Sequence, residues 1–317
     1  MKVDAEASQR SAIRSALLDS ARFHARGAVT DFVSEDRNVL RQASVSVGVA
    51  VELLAKAFIA TVEPALLADR GDRDSILAFS GKAHLAAGNL IQAKSISAAD
   101  SMKVTRHLLP SLPGAQTSDY FLLSVRNAAT HMALIDLPSL RRAVEIMCRI
   151  VEGLLAALEV SRSDFWGASR LTVVDEILDA AADELHRVVA AKLGAARQTL
   201  SRLTRGLDGH ARAIVVASLS GRIAGGADHD ERQSCPVCDQ QGWLNCYIER
   251  GEVEYDGSVG ECGVVYVTRT AHPFAFGCPV CQLELEGDEL EEFDFPRTFD
   301  LEPDDDPWEA HQEYSYS

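Results

Sequence analysis

Two copies of one tetrapeptide, Cys-Pro-Val-Cys at 235–238 and again at 278–281, constrain this 317-residue chain more than any other feature. Each copy presents two thiolates from one tight turn. Brought together by an antiparallel ribbon, the two turns make a tetrahedron of sulfur, the coordination that zinc takes in closed structural sites. The expected ligands are Cys235, Cys238, Cys278 and Cys281. The 39 residues between the copies exceed the usual gap in such sites. Their sequence accounts for the excess. "GWLNCYIERGEVEYDGSVGECGVVYVTRTAHPFAF" alternates, is rich in β-branched and aromatic residues and contains Asp256-Gly257, which predicts short strands and hairpins. The competing reading, a pair of redox or incidental motifs, does not explain the duplication.

The compartment supports metal over disulfides. The opening "MKVDAEASQR" is too polar for an export signal, and no uninterrupted apolar run of about 18 residues is present. A cytoplasmic chain without a membrane span is expected, and there clustered cysteines read as a metal site. Cys246 and Cys262 read as buried strand thiols, and Cys148, alone in the earlier part, as a small buried thiol. The knuckle pattern resembles a zinc ribbon. Four sulfurs leave no open position for substrate, so the implied role is structural or partner-binding, not catalytic.

Charge divides the chain. From Ala227 onward there are 4 basic and 23 acidic residues, a net of −19; residues 1–226 hold 27 basic and 24 acidic ones, a net of +3. The acidic surroundings weaken a nucleic-acid role for the ribbon, while the earlier part can still meet a polyanion. Apolar residues make up 47% and charged ones 25%, enough to build real cores in about two domains.

Residues 1–226 read as almost wholly helical. "NVLRQASVSVGVAVELLAKAFIATVEPALLAD" predicts a long helix bent or ended by Pro64, and "SAADSMKVTRHLLP" another closed by Pro110. Ser118 or Asp119 is expected to cap the next helix, and "LPSLRRAVEIMCRIVEGLLAALEV" starts at Pro138. The apolar stripe from Leu171 to Leu207 reads either as a helix packed within its own domain or as a stalk or dimer helix. The expected organisation is a helical domain over 1–165, a helical linker or stalk over 166–226, a β-rich zinc ribbon over 230–295 and an acidic flexible tail over 296–317. The fold class is mainly α.

One helix carries an anomaly. "SVRNAATHMAL" (124–134) sets Arg126, Asn127 and His131 in a segment that otherwise suits a core. Asn127 and His131, four apart, share a helix face; Arg126 lies about 140° from His131. Histidine can take a proton near neutral pH, arginine offers a fixed fork for phosphate, and asparagine can orient either partner. Such a set can cleave RNA without a metal. The base removes the 2′-OH proton, the oxygen attacks phosphorus, and the cation stabilises the developing charge. The plainer reading is a solvated or internally satisfied helix face.

Arg126-Asn127-x-x-x-His131, on a helix of an all-α region, resembles the R-x4-6-H motif of the HEPN superfamily (higher eukaryotes and prokaryotes nucleotide-binding domains), and the polar residue after the arginine is typical of its ribonuclease members. Upstream, "VAVELLAKAFIA" looks like the second long helix of that family, with Glu52 and Lys56 four apart. The resemblance covers roughly residues 1–160. It implies a helical bundle that dimerises, with Arg126 and His131 catalytic and Asn127 in support. A composite site can then draw arginine and histidine from two chains. Glu52 carries over less directly, since its plainer role is an i,i+4 salt bridge to Lys56. Members paired with a nucleotidyltransferase often continue His-x-Tyr; here Met132 and Ala133 follow, a departure from that branch.

The resemblance implies a metal-independent endoribonuclease, a toxin-like or phage-defence effector, with RNA as substrate, a homodimeric state and zinc as a structural ion only. Two other readings stand beside it: a non-catalytic HEPN module that binds RNA or nucleotides, and a helical scaffold whose zinc ribbon binds partners. A regulatory protein could be met through the ribbon or the acidic tail.

Overall fold

The computed structural model describes residues 2–304 apart from 70, 89, 115, 222–226 and 257–263. Two compact units divide at Asp183/Glu184, inside one helix.

The first unit is helical. It contains α1 (Lys2–Asp31), α2 (Arg37–Val62), α3 (Arg73–Phe79), α4 (Ala98–Leu108), α5 (Gln116–His131), α6 (Leu137–Ala157), the short α7 (Arg162–Trp166) and the start of α8 (Ala168–Thr204). Helix α2 is the hub, packed against α1, α4, α5 and α6. Asp36 caps its first turn by accepting from the Asn38 N–H, and it stops at Val62, before Pro64 opens a 3-10 turn. By length and composition α2 is apolar enough to cross a membrane. In this fold its apolar side chains are the core: Ala43, Val47, Ala50, Leu54 and Ala55 are fully buried, alongside Ala21 and Ala25 of α1 and Val144, Cys148 and Val151 of α6. The run of alanines lets α1 and α2 approach closely, while leucines and Trp166 fill the wider gaps. The Trp166 indole N–H donates to Glu152 at 2.7 Å, so even the largest core side chain has its polar atom satisfied.

Helix α5 does not start at Ser118 or Asp119 as expected. It begins at Gln116, and Asp119 is 4% exposed in its first turn, where Arg106 of α4 donates to it at 2.8 Å. The Arg106 Nε also donates to Asp119, and Nη1 and Nη2 donate to backbone carbonyls as well, Gly114 O among them at 2.6 Å. A buried charge needs an opposite charge and filled hydrogen bonds, and Arg106 gives both to Asp119 and the connection before α5. At the far end, the Leu134 N–H bonds back to Ala128 O at 3.1 Å, with Ala133 at φ 52°. This is a Schellman closure with alanine where glycine is usual.

Within the stretch expected as a linker or stalk, 166–226, α8 and α9 contribute apolar residues to the cores. The first turns of α8 bury Leu171, Val174 and Ile177 in the core of the first unit. Its later part (Leu193, Ala196, Leu200) and α9 (Gly209–Ser220, through Val216 and Leu219) belong to the core of the second. One apolar stripe therefore serves two cores in succession.

The second unit is a five-stranded antiparallel sheet in the order β1-β2-β3-β4, with β5 also paired to β3. The strands are β1 (His229–Ser234), β2 (Gln241–Asp256), β3 (Val264–Gly277), β4 (Glu284–Glu286) and β5 (Phe299–Asp304). Leu244, Cys246, Ala271 and Phe276 alternate onto the inner face and are buried. Cys262 and the Gly257 turn lie outside the described residues, as do residues 305–317 of the expected tail. Residues 299–304 of that tail form β5, which pairs Phe299 with Ala271 and Leu301 with Arg269. The two apolar residues, two apart, reach one face of the sheet, a short period that the surrounding carboxylates obscure in sequence.

Candidate functional site

In the first unit the polar residues of α5 separate onto two sides. Arg126 turns toward α2. Its Nη2 donates to Glu52 Oε2 at 3.2 Å, while Lys56 Nζ donates to Glu52 Oε1 at 2.7 Å and to Ser95 Oγ at 3.0 Å. The side chains of Lys56, Glu52 and Arg126 are 8%, 16% and 30% exposed. One carboxylate thus holds two cations, and the cluster keeps a net charge of +1 facing outward through Arg126. The i,i+4 bridge to Lys56 expected of Glu52 exists, and the same carboxylate also holds Arg126. A sequence reading sees the first because it is local, and not the second because it crosses 74 residues.

Gly48 makes that bond possible. A Cβ at 48 would lie 2.8 Å from Arg126 Cβ and 3.1 Å from its Cγ, so only glycine lets the arginine stem lie flat on α2. The available signal was a glycine in the interior of an otherwise good helix, which costs about 1 kcal/mol unless something must approach closely.

Asn127 and His131 are exposed on another side of α5, four residues apart on one face. The structure brings Glu52, Lys56 and Arg126 together, and Asn127 with His131, but leaves the arginine and the histidine of one chain directed differently. Other cations near α5 have separate uses. Arg106 is committed to Asp119, and Arg142 lies over the Phe121 ring at 5.2 Å. His24 is half-buried with Nδ1 3.2 Å from Ser46 Oγ, and burial lowers its pKa.

In the second unit the two knuckles are built alike. The Cys235 N–H donates to Gln240 O at 2.8 Å and the Asp239 N–H to Cys235 O at 3.0 Å; the Cys278 N–H donates to Leu283 O and the Gln282 N–H to Cys278 O, both at 2.9 Å. The residue after each second cysteine, Asp239 or Gln282, adopts positive φ, 57° and 59°. That left-handed residue turns the chain back so that both sulfurs of a knuckle point the same way. One knuckle joins β1 to β2 and the other joins β3 to β4, and the pairing of Trp243 with Gly277 sets them side by side. Gly242 admits the approach: a Cβ there would strike the Phe276 ring at 2.4 Å.

All four sulfurs lie within 4.8 Å of one another, with Cys235–Cys281 and Cys238–Cys278 at 3.5 Å. A tetrahedron with metal–sulfur bonds of about 2.3 Å has edges of about 3.8 Å, so the donor set and its spacing fit a metal such as zinc. The site is largely buried, and its thiols resist ionising together. Burial pushes Cys238 up to about 12, and bonds to Cys235 and Cys278 push Cys281 higher, while hydrogen bonds from Cys235 and Cys281 lower Cys278. A divalent cation reverses this by neutralising the thiolates. Cys246, pushed up to about 11 by burial, lies outside the cluster as expected of a strand thiol, and burial likewise raises Cys148 in the helical core.

Comparison with known proteins finds no matching family model, no matching curated protein and no matching solved structure.

Proposed function

We propose that this chain is a metal-independent endoribonuclease of HEPN type, with a zinc ribbon at its C-terminal side as a structural module. The observation that carries the reading is the Arg126–Glu52 bond. It holds a cation at the surface of α5, directly before Asn127 and five residues before His131, both exposed. In the proposed reaction His131 takes the proton of a ribose 2′-OH, and the oxygen attacks the adjacent phosphorus. The bond to the 5′-oxygen breaks, and that oxygen leaves with a proton. The products are a 2′,3′-cyclic phosphate and a 5′-OH end, and the arginine stabilises the extra negative charge on the phosphoryl oxygens. Because Arg126 and His131 diverge on one helix, the working site is composite: two copies of α5 face each other and each phosphate meets the arginine of one and the histidine of the other. The protein is then a homodimer, cytoplasmic, acting on cellular or invading RNA in a toxin-like or defence role.

The experiment is cleavage of single-stranded RNA by the full chain in excess chelator, with the ends identified. Arg126→Ala and His131→Ala each abolish cleavage without changing the fold, and replacing the attacked 2′-OH with hydrogen blocks cleavage at that position. Undiminished cleavage by both variants overturns the mechanism. The second reading, an RNA-binding or scaffold protein that does no chemistry, is favoured by the same Arg126–Glu52 pair taken as a purely structural bridge. RNA binding without cleavage supports it.

A further inference from the structure

Four of the exposed residues of α5 share one face in steps of four, three and four: Tyr120, Ser124, Asn127 and His131. At 100° per residue Tyr120 and His131 lie within about 20° of each other around the helix, and eleven residues put them about 16 Å apart along it. Tyr120 is 58% exposed, whereas Leu122 of the same turn is buried and Phe121 packs against the core. A large aromatic ring on a polar stripe contributes little to that core.

One exposed cation lies beside the neighbouring residue. Arg142, exposed on α6, lies 5.2 Å over the ring of the next residue, Phe121. The carboxylate beside it, Asp119, is buried and neutralised by Arg106. Between Tyr120 and His131 the sequence has no acidic residue. Aromatic faces interleaved with arginine are what an unpaired nucleic-acid strand binds: bases stack on the ring and phosphates meet the cation. Bases in a duplex are already stacked and give no face to such a ring.

We infer that Tyr120 is a base-stacking residue of the site on α5. The inference rests on the ribonuclease reading of Arg126 and His131. The spacing also sets a register. Stacked bases repeat about every 3.4 Å and an unstacked strand covers more, so at most about five nucleotides separate the base on Tyr120 from the cleaved bond.

The test uses full-length protein and a short labelled RNA whose riboses are 2′-O-methylated, so that it binds but is not cut. Tyr120→Ala weakens binding by about five- to a hundredfold, the loss expected for one stacked base. Tyr120→Phe stays within about twofold of wild type, because stacking needs the ring and not the hydroxyl. With cleavable RNA, Tyr120→Ala raises KM and leaves kcat unchanged, while a duplex of the same sequence competes poorly against wild type. Wild-type cleavage with equal RNA affinity in Tyr120→Ala overturns the inference and leaves the ribonuclease reading standing. Wild type that neither binds nor cuts overturns that reading itself. A changed elution volume for Tyr120→Ala, with RNA affinity lost only alongside the oligomer, assigns Tyr120 to contact with a second copy and also overturns the inference.

Discussion

Gly48 and Arg126 lie in contact across α2 and α5, close enough that a Cβ on Gly48 would meet the Arg126 Cβ at 2.8 Å. Gly48→Ala therefore sets two effects against each other. Helix propensity favours alanine by about 1 kcal/mol, and overpacking against the arginine stem costs about 1–3 kcal/mol. The atom struck is next to the backbone of α5 and cannot swing aside, so overpacking wins. Gly48→Ala lowers stability by about 1 kcal/mol in urea denaturation and reduces any activity that depends on Arg126. A stabilised variant with unchanged activity would show that α5 yields freely.

Glu52 anchors two cations, and a double-mutant cycle separates its bonds from its burial. Glu52→Gln leaves Lys56 and Arg126 without a counter-charge. The cost is about 2–3 kcal/mol, below the roughly 3–5 kcal/mol of a fully buried pair, because Arg126 still reaches solvent. Adding Lys56→Met removes the more buried cation and recovers part of the loss. Additive losses in urea midpoints would mean that the two groups do not interact.

Ala133 closes α5 in a left-handed conformation, φ 52°, that costs a non-glycine residue about 1 kcal/mol. Ala133→Gly raises stability by about 0.5–1 kcal/mol, with some of the relief offset by the freer unfolded chain. Thermal melting reads it directly, and a lower Tm would place the strain elsewhere.

His24 makes stability fall on the acid side. Burial lowers its pKa in the folded state, so as pH drops below about 6.5 the unfolded chain takes the proton first. Stability is then lost through the window from about 6.5 down to the folded value, and His24 adds no slope above it. His24→Gln, which keeps a polar partner for Ser46 Oγ, flattens the urea midpoint over that window compared with wild type. Parallel curves for the two proteins would assign the slope to other groups.

The four-sulfur cluster predicts about one zinc per chain by elemental analysis. Cys281→Ser releases the metal and unfolds the sheet unit at lower denaturant, whereas Cys148→Ser, buried among helices, leaves the zinc in place. Freshly purified protein with four titratable knuckle thiols and no zinc would remove the metal from the account.

The local patterns fixed much of this protein. The duplicated Cys-Pro-Val-Cys set the four-sulfur cluster, because a knuckle is a matter of a few consecutive residues. Pro64 and Pro138 marked helix ends, because proline acts on its own turn. The alternation across 242–276 marked the long hairpin. Each of these rests on interactions within a few positions, and those are written in order along the chain. Tertiary packing decided the rest. It split the apolar stripe of α8 between two cores, turned Phe299 and Leu301 into a strand and placed Asp119 under Arg106 instead of at a helix cap. It also joined Arg126 to Glu52 over Gly48 and left His131 on another side of the same helix. Which face of a helix a charge occupies follows from spacing alone; which partner waits there depends on chain folded from 74 residues away.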